Sequence, residues 1–117
     1  MNSPEYKKMM AELQADYLAS FTDKIATFNK YFQEQNWSGL ELEFHKLKGT
    51  GKTYGIPEVS TLCQKMEDIC RDKTDKIPMT FSKAIEVLQA IKQAYTQSEG
   101  FDLEDDPRYQ EISTLAK

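Results

Sequence analysis

One histidine, His45, stands among residues that suit anion chemistry. Glu41, Lys48, Gly49 and Lys52 lie four before it and three, four and seven after it, the spacings at which side chains share one helix face. The apolar residues of the same stretch, Trp37, Leu40, Phe44, Leu47 and Tyr54, repeat along another face. At about 100° per residue, His45 points away from that stripe by more than about 100°. An imidazole so placed is exposed, and a lysine one turn away stabilises an anion held at the ring. A glycine within a helix costs about 1 kcal/mol relative to alanine. Gly49 therefore reads as space kept open beside the ring, because it points away from the stripe that would pack another helix.

Glu67 belongs to the same group through the turn that follows. Gly55 is a helix stop and Pro57 a helix start, so the hairpin centres on Ile56. In an antiparallel pair, residues equidistant from the turn face one another. His45 lies eleven residues before Ile56 and Glu67 eleven after. Glu67 can then accept the Nδ1–H of His45, which selects the tautomer and leaves Nε2 as a nucleophile. An ordinary exposed carboxylate is the competing reading. The run Gly49-Thr50-Gly51-Lys52-Thr53 imitates the end of a phosphate-binding P-loop, but Lys46 stands where the first glycine belongs and no strand precedes it.

Five helical segments position these residues. Ser3-Pro4-Glu5 combines a hydroxyl cap, a first-turn proline and an acid. The segment that follows carries Tyr6, Met9, Met10 and Leu13. A second stripe holds Tyr17, Leu18, Phe21, Ile25, Phe28 and Phe32, and no strong breaker separates the two. Asn36 and Trp37 end that run. The third helix begins near Ser38 and reaches Tyr54. The fourth, after Pro57, carries Val59, Leu62, Cys63, Met66, Ile69 and Cys70. Asp72 to Pro78 reads as a polar loop. The fifth helix carries Phe81, Ala84, Ile85, Leu88, Ile91 and Tyr95, with Thr80 as its cap. Met9, Met10 and Met66 read as core filler.

The chain therefore divides into an all-α domain, residues 1–98, and an acidic C-terminal tail, residues 99–117. The domain is an antiparallel four-helix bundle with an N-terminal capping helix. The tail holds Glu99, Asp102, Glu104, Asp105 and Asp106 and reads as solvated, with Pro107 able to start a short helix through Tyr109, Ile112 and Leu115.

Composition narrows the function classes. At 117 residues there is room for one domain and none for a kinase fold or a barrel. The hydrophobic share of 39% supports a packed core rather than a disordered chain. A net charge of −4 argues against a sequence-independent nucleic-acid binder. Cys63 and Cys70 lie about 10 Å apart along a helix, beyond disulfide reach, and are expected as buried reduced thiols in a cytoplasm. The start, Met1 to Met10, has no apolar core of a signal peptide, and no stretch has the length of a membrane span. The starting Met and short length lead us to expect a freestanding, monomeric protein.

The run His45-Lys46-Leu47-Lys48-Gly49-Thr50-Gly51-Lys52-Thr53-Tyr54-Gly55 resembles the active helix of histidine phosphotransfer (HPt) domains. Ile56-Pro57-Glu58 and Leu62 to Glu67 are similar to the helix that follows in that family, and Trp37, Tyr17, Leu18 and Phe21 fit upstream. The likeness covers roughly residues 10 to 96. It implies that His45 is the phosphoacceptor in a two-component phosphorelay and that Lys48 stabilises the phosphoryl group. It also implies that Gly49 leaves room for the phosphoryl group and partner, and that Glu67 orients the imidazole. Lys52 falls at a position that varies in the family.

The chemistry agrees with the likeness: free imidazole titrates near about 6.5, so no further base is needed at neutral pH. No acidic trio accompanies His45, so the resemblance places Mg²⁺ in a partner receiver domain, and the chain is expected to be a carrier without kinase activity or a cofactor of its own. Receiver domains and a sensor histidine kinase are the expected partners, with no nucleic acid and no membrane. The alternative is a helical adaptor that binds receivers without phosphotransfer. A metal site is the weaker idea, since a lone His without a second ligand in register holds zinc poorly.

Overall fold

The computed structural model describes residues 3–117. The reading of the extreme N-terminus at Met1 lies outside the described residues. Among the described residues six α-helices follow one another: α1 (Pro4–Ala19), α2 (Phe21–Gln33), α3 (Trp37–Gly51), α4 (Pro57–Asp72), α5 (Ile77–Thr96) and α6 (Pro107–Leu115), with a 3₁₀ turn at Thr74–Lys76 before α5. Among the described residues there is no strand.

Three helix starts are set by side chains that meet free backbone N–H groups. The Ser3 hydroxyl accepts from the Tyr6 N–H at 3.1 Å. The Asn36 side-chain oxygen Oδ1 accepts from the Gly39 N–H at 2.9 Å. Asp106 accepts from the N–H groups of Arg108 and Tyr109 at 2.8 and 3.3 Å. Asn36 and Trp37, expected to close the second helix, instead cap and begin the third. A short polar side chain at that point satisfies the new helix, while Gln35 turns the chain with a φ of 53°.

Helices α2 to α5 form the four-helix bundle. Phe28 of α2 stacks on Phe44 of α3 with centroids 4.3 Å apart, and Phe32 stacks on Phe81 of α5 at 4.3 Å. Val59, Leu62, Cys63, Met66 and Ile69 of α4 are fully buried, as are Ala84 and Ile91 of α5. Cys63 and Cys70 are buried and free. Tyr17 and Leu18, at the end of α1, pack on the bundle, and Tyr17 stacks on Tyr54 at 4.4 Å. The first turns of α1 run beyond the bundle, which leaves Tyr6, Met9 and Leu13 exposed. Of the methionines read as core filler, Met66 is buried, Met10 half-buried and Met9 exposed.

Thr80 does not cap α5. That helix begins at Ile77, and Thr80 is buried within it, its hydroxyl donating to the Lys76 carbonyl at 2.9 Å. Pro78 sits in the first turn, where its missing N–H has no helical partner to lose. The polar loop is correspondingly shorter than its composition suggested.

The segment after Gly100 is docked rather than solvated. Leu103, Tyr109 and Ile112 are buried, and α6 packs against α4 and α5. Arg108 reaches Glu86 at 3.6 Å, and Lys83 reaches Glu111 at 3.7 Å. The acids face water, apart from Asp106, which caps α6. Charge dominated the reading of this stretch, but the burial of Leu103, Tyr109 and Ile112 decided its fate.

The hairpin of α3 and α4 is the most extensive pairing in the fold and sets the site. Gly55 makes the turn with a φ of 78°. The Ile56 N–H donates to the Gly51 carbonyl at 2.9 Å. Ser60 then locks the register: its hydroxyl donates to the Lys48 carbonyl at 2.7 Å and accepts from the Lys52 N–H at 3.0 Å.

Candidate functional site

His45 lies in the middle of α3 with 60% of its side chain exposed. The three turns around it face inward through Leu40, Phe44 and Leu47, all buried in the core. That stripe holds the opposite face outward and presents the ring to solvent. The Nδ1 atom stands 2.7 Å from Oε2 of Glu67 on α4. Against a carboxylate, Nδ1 carries the proton, and Nε2 keeps its lone pair.

Glu67 is 7% exposed and holds two partners at once. Its second oxygen, Oε1, accepts from the Lys48 ammonium at 2.5 Å. Burial pushes the Glu67 carboxyl up. The hydrogen bonds from Lys48 and His45, with the charge of the Lys48 ammonium, outweigh burial and hold it below the usual carboxylate range. A fully ionised Glu67 is thus fixed under the ring. Its neighbour Cys63 is driven well above the ordinary thiol range by burial and then by Glu67, so it takes no part as a thiolate.

Gly49 is exposed on the same face, and a Cβ added there would meet nothing within 4 Å. Close helix packing therefore does not explain this glycine. Gly51, two residues on, is different: a Cβ there would lie 2.5 Å from the Ser60 hydroxyl and 2.8 Å from the Ser60 nitrogen. The first glycine keeps the surface beside the imidazole flat, and the second lets the hairpin close.

Three of the residues singled out from sequence, His45, Lys48 and Glu67, are joined by hydrogen bonds, with Gly49 adjacent. Glu41 makes no hydrogen bond to His45, and Lys52 meets the hairpin through its backbone rather than its ammonium. The ion pair between Lys48 and Glu67 was not foreseen. Its signal is present, because His45 and Lys48 are one turn apart and the hairpin symmetry that reaches Glu67 from one nearly reaches it from the other. Leu42, three residues before His45, is also 52% exposed.

Support for the far end of α3 comes from α1. The Tyr17 hydroxyl and the Thr50 hydroxyl are 2.9 Å apart, and the Gln14 amide donates to the Tyr54 carbonyl at 2.9 Å. Burial pushes the Tyr17 phenol up to about 12, so it stays protonated and keeps that contact at any ordinary pH.

No helix among the described residues is long and apolar enough to cross a membrane. A family model described as Hpt domain matches residues 12–101, which covers α2 to α5 and the second half of α1 but stops before α6. No curated protein and no solved structure matches the chain.

Proposed function

The chain belongs to the Hpt domain family, the phosphoryl carriers of two-component phosphorelays, and from that premise we propose that His45 is the residue that carries the phosphoryl group between receiver domains, or from a sensor histidine kinase to one. The observation that supports this most directly is the exposed imidazole whose Nδ1–H is held by a buried carboxylate at 2.7 Å.

The Nε2 lone pair of His45 attacks the phosphorus of an aspartyl phosphate on the partner. The N–P bond forms as the P–O bond to the aspartate breaks, and the electron pair leaves on the aspartate carboxylate. The ring becomes a phosphoimidazolium with its proton still on Nδ1. The positive charge that develops on the ring faces Glu67, already ionised and placed at no cost during the reaction. Lys48 spends one of its three N–H donors on Glu67, which leaves others for the phosphoryl oxygens one turn along the helix. Gly49 lets the partner approach. Transfer onward to a second aspartate reverses these steps. Mg²⁺ belongs to the receiver in this reading and supplies charge neutralisation on the phosphoryl group. We place the protein in the cytoplasm, acting as a monomer.

Incubation with phosphoramidate, followed by intact mass, tests the assignment. One added phosphoryl, labile in acid and stable in base, is expected on the wild-type chain. His45→Gln is expected to take none while keeping its helical signal, because the side chain is mostly exposed. A folded wild-type chain that takes no label from phosphoramidate or from phosphorylated receivers would instead favour a receiver-binding adaptor.

A further inference from the structure

A cleft of about 440 Å³ opens between the end of α3 and the first half of α4, and it begins at the lysine beside His45. Lys48, Lys52, Ser60, Thr61, Gln64 and Lys65 line it. Three of the six are lysines and none is an acid. Lys48 is offset by Glu67. Lys52 and Lys65 enter no ion pair among the described residues. On a chain of net charge −4, two uncompensated cations in one concave place concentrate a positive field against the sign of the whole molecule.

The uncharged residues of the cleft are already occupied. Ser60 bridges the Lys48 carbonyl and the Lys52 N–H. The Thr61 hydroxyl donates to the Pro57 carbonyl at 3.2 Å. The Gln64 amide donates to Asp68 at 2.9 Å. What the cleft offers a visitor is therefore ammonium groups, with little directional hydrogen bonding. That suits flexible carboxylate side chains on a protein surface better than a small ligand, which needs several fixed polar contacts. Core packing does not account for it: Lys52 is exposed and Lys65 only half-buried.

We propose that this cleft is the electrostatic part of the docking surface and seats acidic side chains of the receiver partner, with Lys52 and Lys65 discriminating among receivers by charge. The inference rests on the phosphotransfer reading above. It adds to that reading a location for partner choice, on the α4 side of His45. A receiver that delivers its phosphoryl group to Nε2 of His45 must lie over the face where the cleft starts, so acidic side chains at that edge of its docking surface would fall against the lysines. Attraction of this kind acts mainly on the rate of encounter and weakens as salt rises.

The test compares two donors on the full chain. Wild type and the double variant Lys52→Glu with Lys65→Glu are labelled from phosphoramidate and from whichever of a panel of phosphorylated receiver domains serves wild type best, over a range of NaCl. With the receiver, the double variant is expected to lose about tenfold or more in kcat/KM at low salt, and the wild-type advantage is expected to shrink as salt rises. Labelling by phosphoramidate is expected to stay within about twofold in both, and Lys52→Arg with Lys65→Arg to behave as wild type. An undiminished rate with the receiver overturns the inference. So does an equal loss with both donors, which would mean that the cleft serves the small anion itself. Wild type that takes no label from either donor overturns the phosphocarrier reading and this inference with it.

Discussion

Gly49→Ala is expected to make the protein more stable and Gly49→Gln to make it a poorer phosphoacceptor. Glycine inside a helix is about 0.8–1.0 kcal/mol less favourable than alanine. Gly49 lies two residues from the end of α3, so a gain of about 0.5–1 kcal/mol is a fair expectation. No packing penalty offsets it, since a Cβ there has no neighbour within 4 Å. For a domain of this size the gain corresponds to a rise in Tm of about 2–5 °C. Gln carries the same backbone benefit but places a long side chain one turn from the imidazole. Displacing a docked donor by about 1 Å costs on the order of 100-fold, so a fall of about 10- to 100-fold in transfer from a receiver is expected. Thermal unfolding followed by circular dichroism reads the first quantity, and single-turnover transfer reads the second. Gly51→Ala is the internal control: its Cβ would collide with Ser60, and a loss of about 1–3 kcal/mol is expected. A lower Tm for Gly49→Ala, or undiminished transfer by Gly49→Gln, refutes the view that stability is given up here for access.

Lys48→Ala is expected to slow transfer by about 10- to 100-fold, below the roughly 100- to 1000-fold for a donor in a water-excluded site because the Lys48 side chain is partly exposed, while His45 retains its bond to Glu67 and the helical signal is unchanged. Quench-flow transfer beside circular dichroism checks both halves. Stability is expected to fall in acid through Glu67 and Asp106, which are both held below their ordinary values of 4.5 and 3.8 in the folded state. The unfolded chain takes up these two protons first, so their contribution is complete above the ordinary values and is lost as pH drops through the lower folded ones. Denaturant midpoints from about pH 6 to about pH 3 should trace this, and Glu67→Gln should flatten the profile. Ile112→Ala, at a fully buried position in α6, is expected to cost about 2–5 kcal/mol in a single unfolding transition. A loss below about 0.5 kcal/mol would show that α6 contributes nothing to the bundle.

The amino-acid order determined a good deal by itself. Helical spacing of Leu40, Phe44 and Leu47 fixes the outward face of α3, and so the exposure of His45, because a helix has one geometry whatever surrounds it. Gly55 and Pro57 mark the hairpin, and counting from Ile56 leads to Glu67, because antiparallel helices joined by a short turn have little freedom of register. Ser3 caps α1 as its hydroxyl implies. Local rules carried these points, and each depends on residues within a few turns of one another.

Other features were decided only when distant segments met. Thr80 has the chemistry of a cap, yet Ile77 is buried and pulls the helix start four residues earlier. The stretch after Gly100 looks like a solvated tail by charge, but its worth to the fold depends on an apolar face of α4 and α5 that no local pattern reveals. The ion pair of Lys48 with Glu67 and the gathering of Lys52 and Lys65 in one cleft arise from the depth and tilt at which α3 meets α4. Composition registers only how many charges a chain has. Whether they cancel or reinforce depends on separations of a few ångströms across two helices, and these are set by the side chains packed between them.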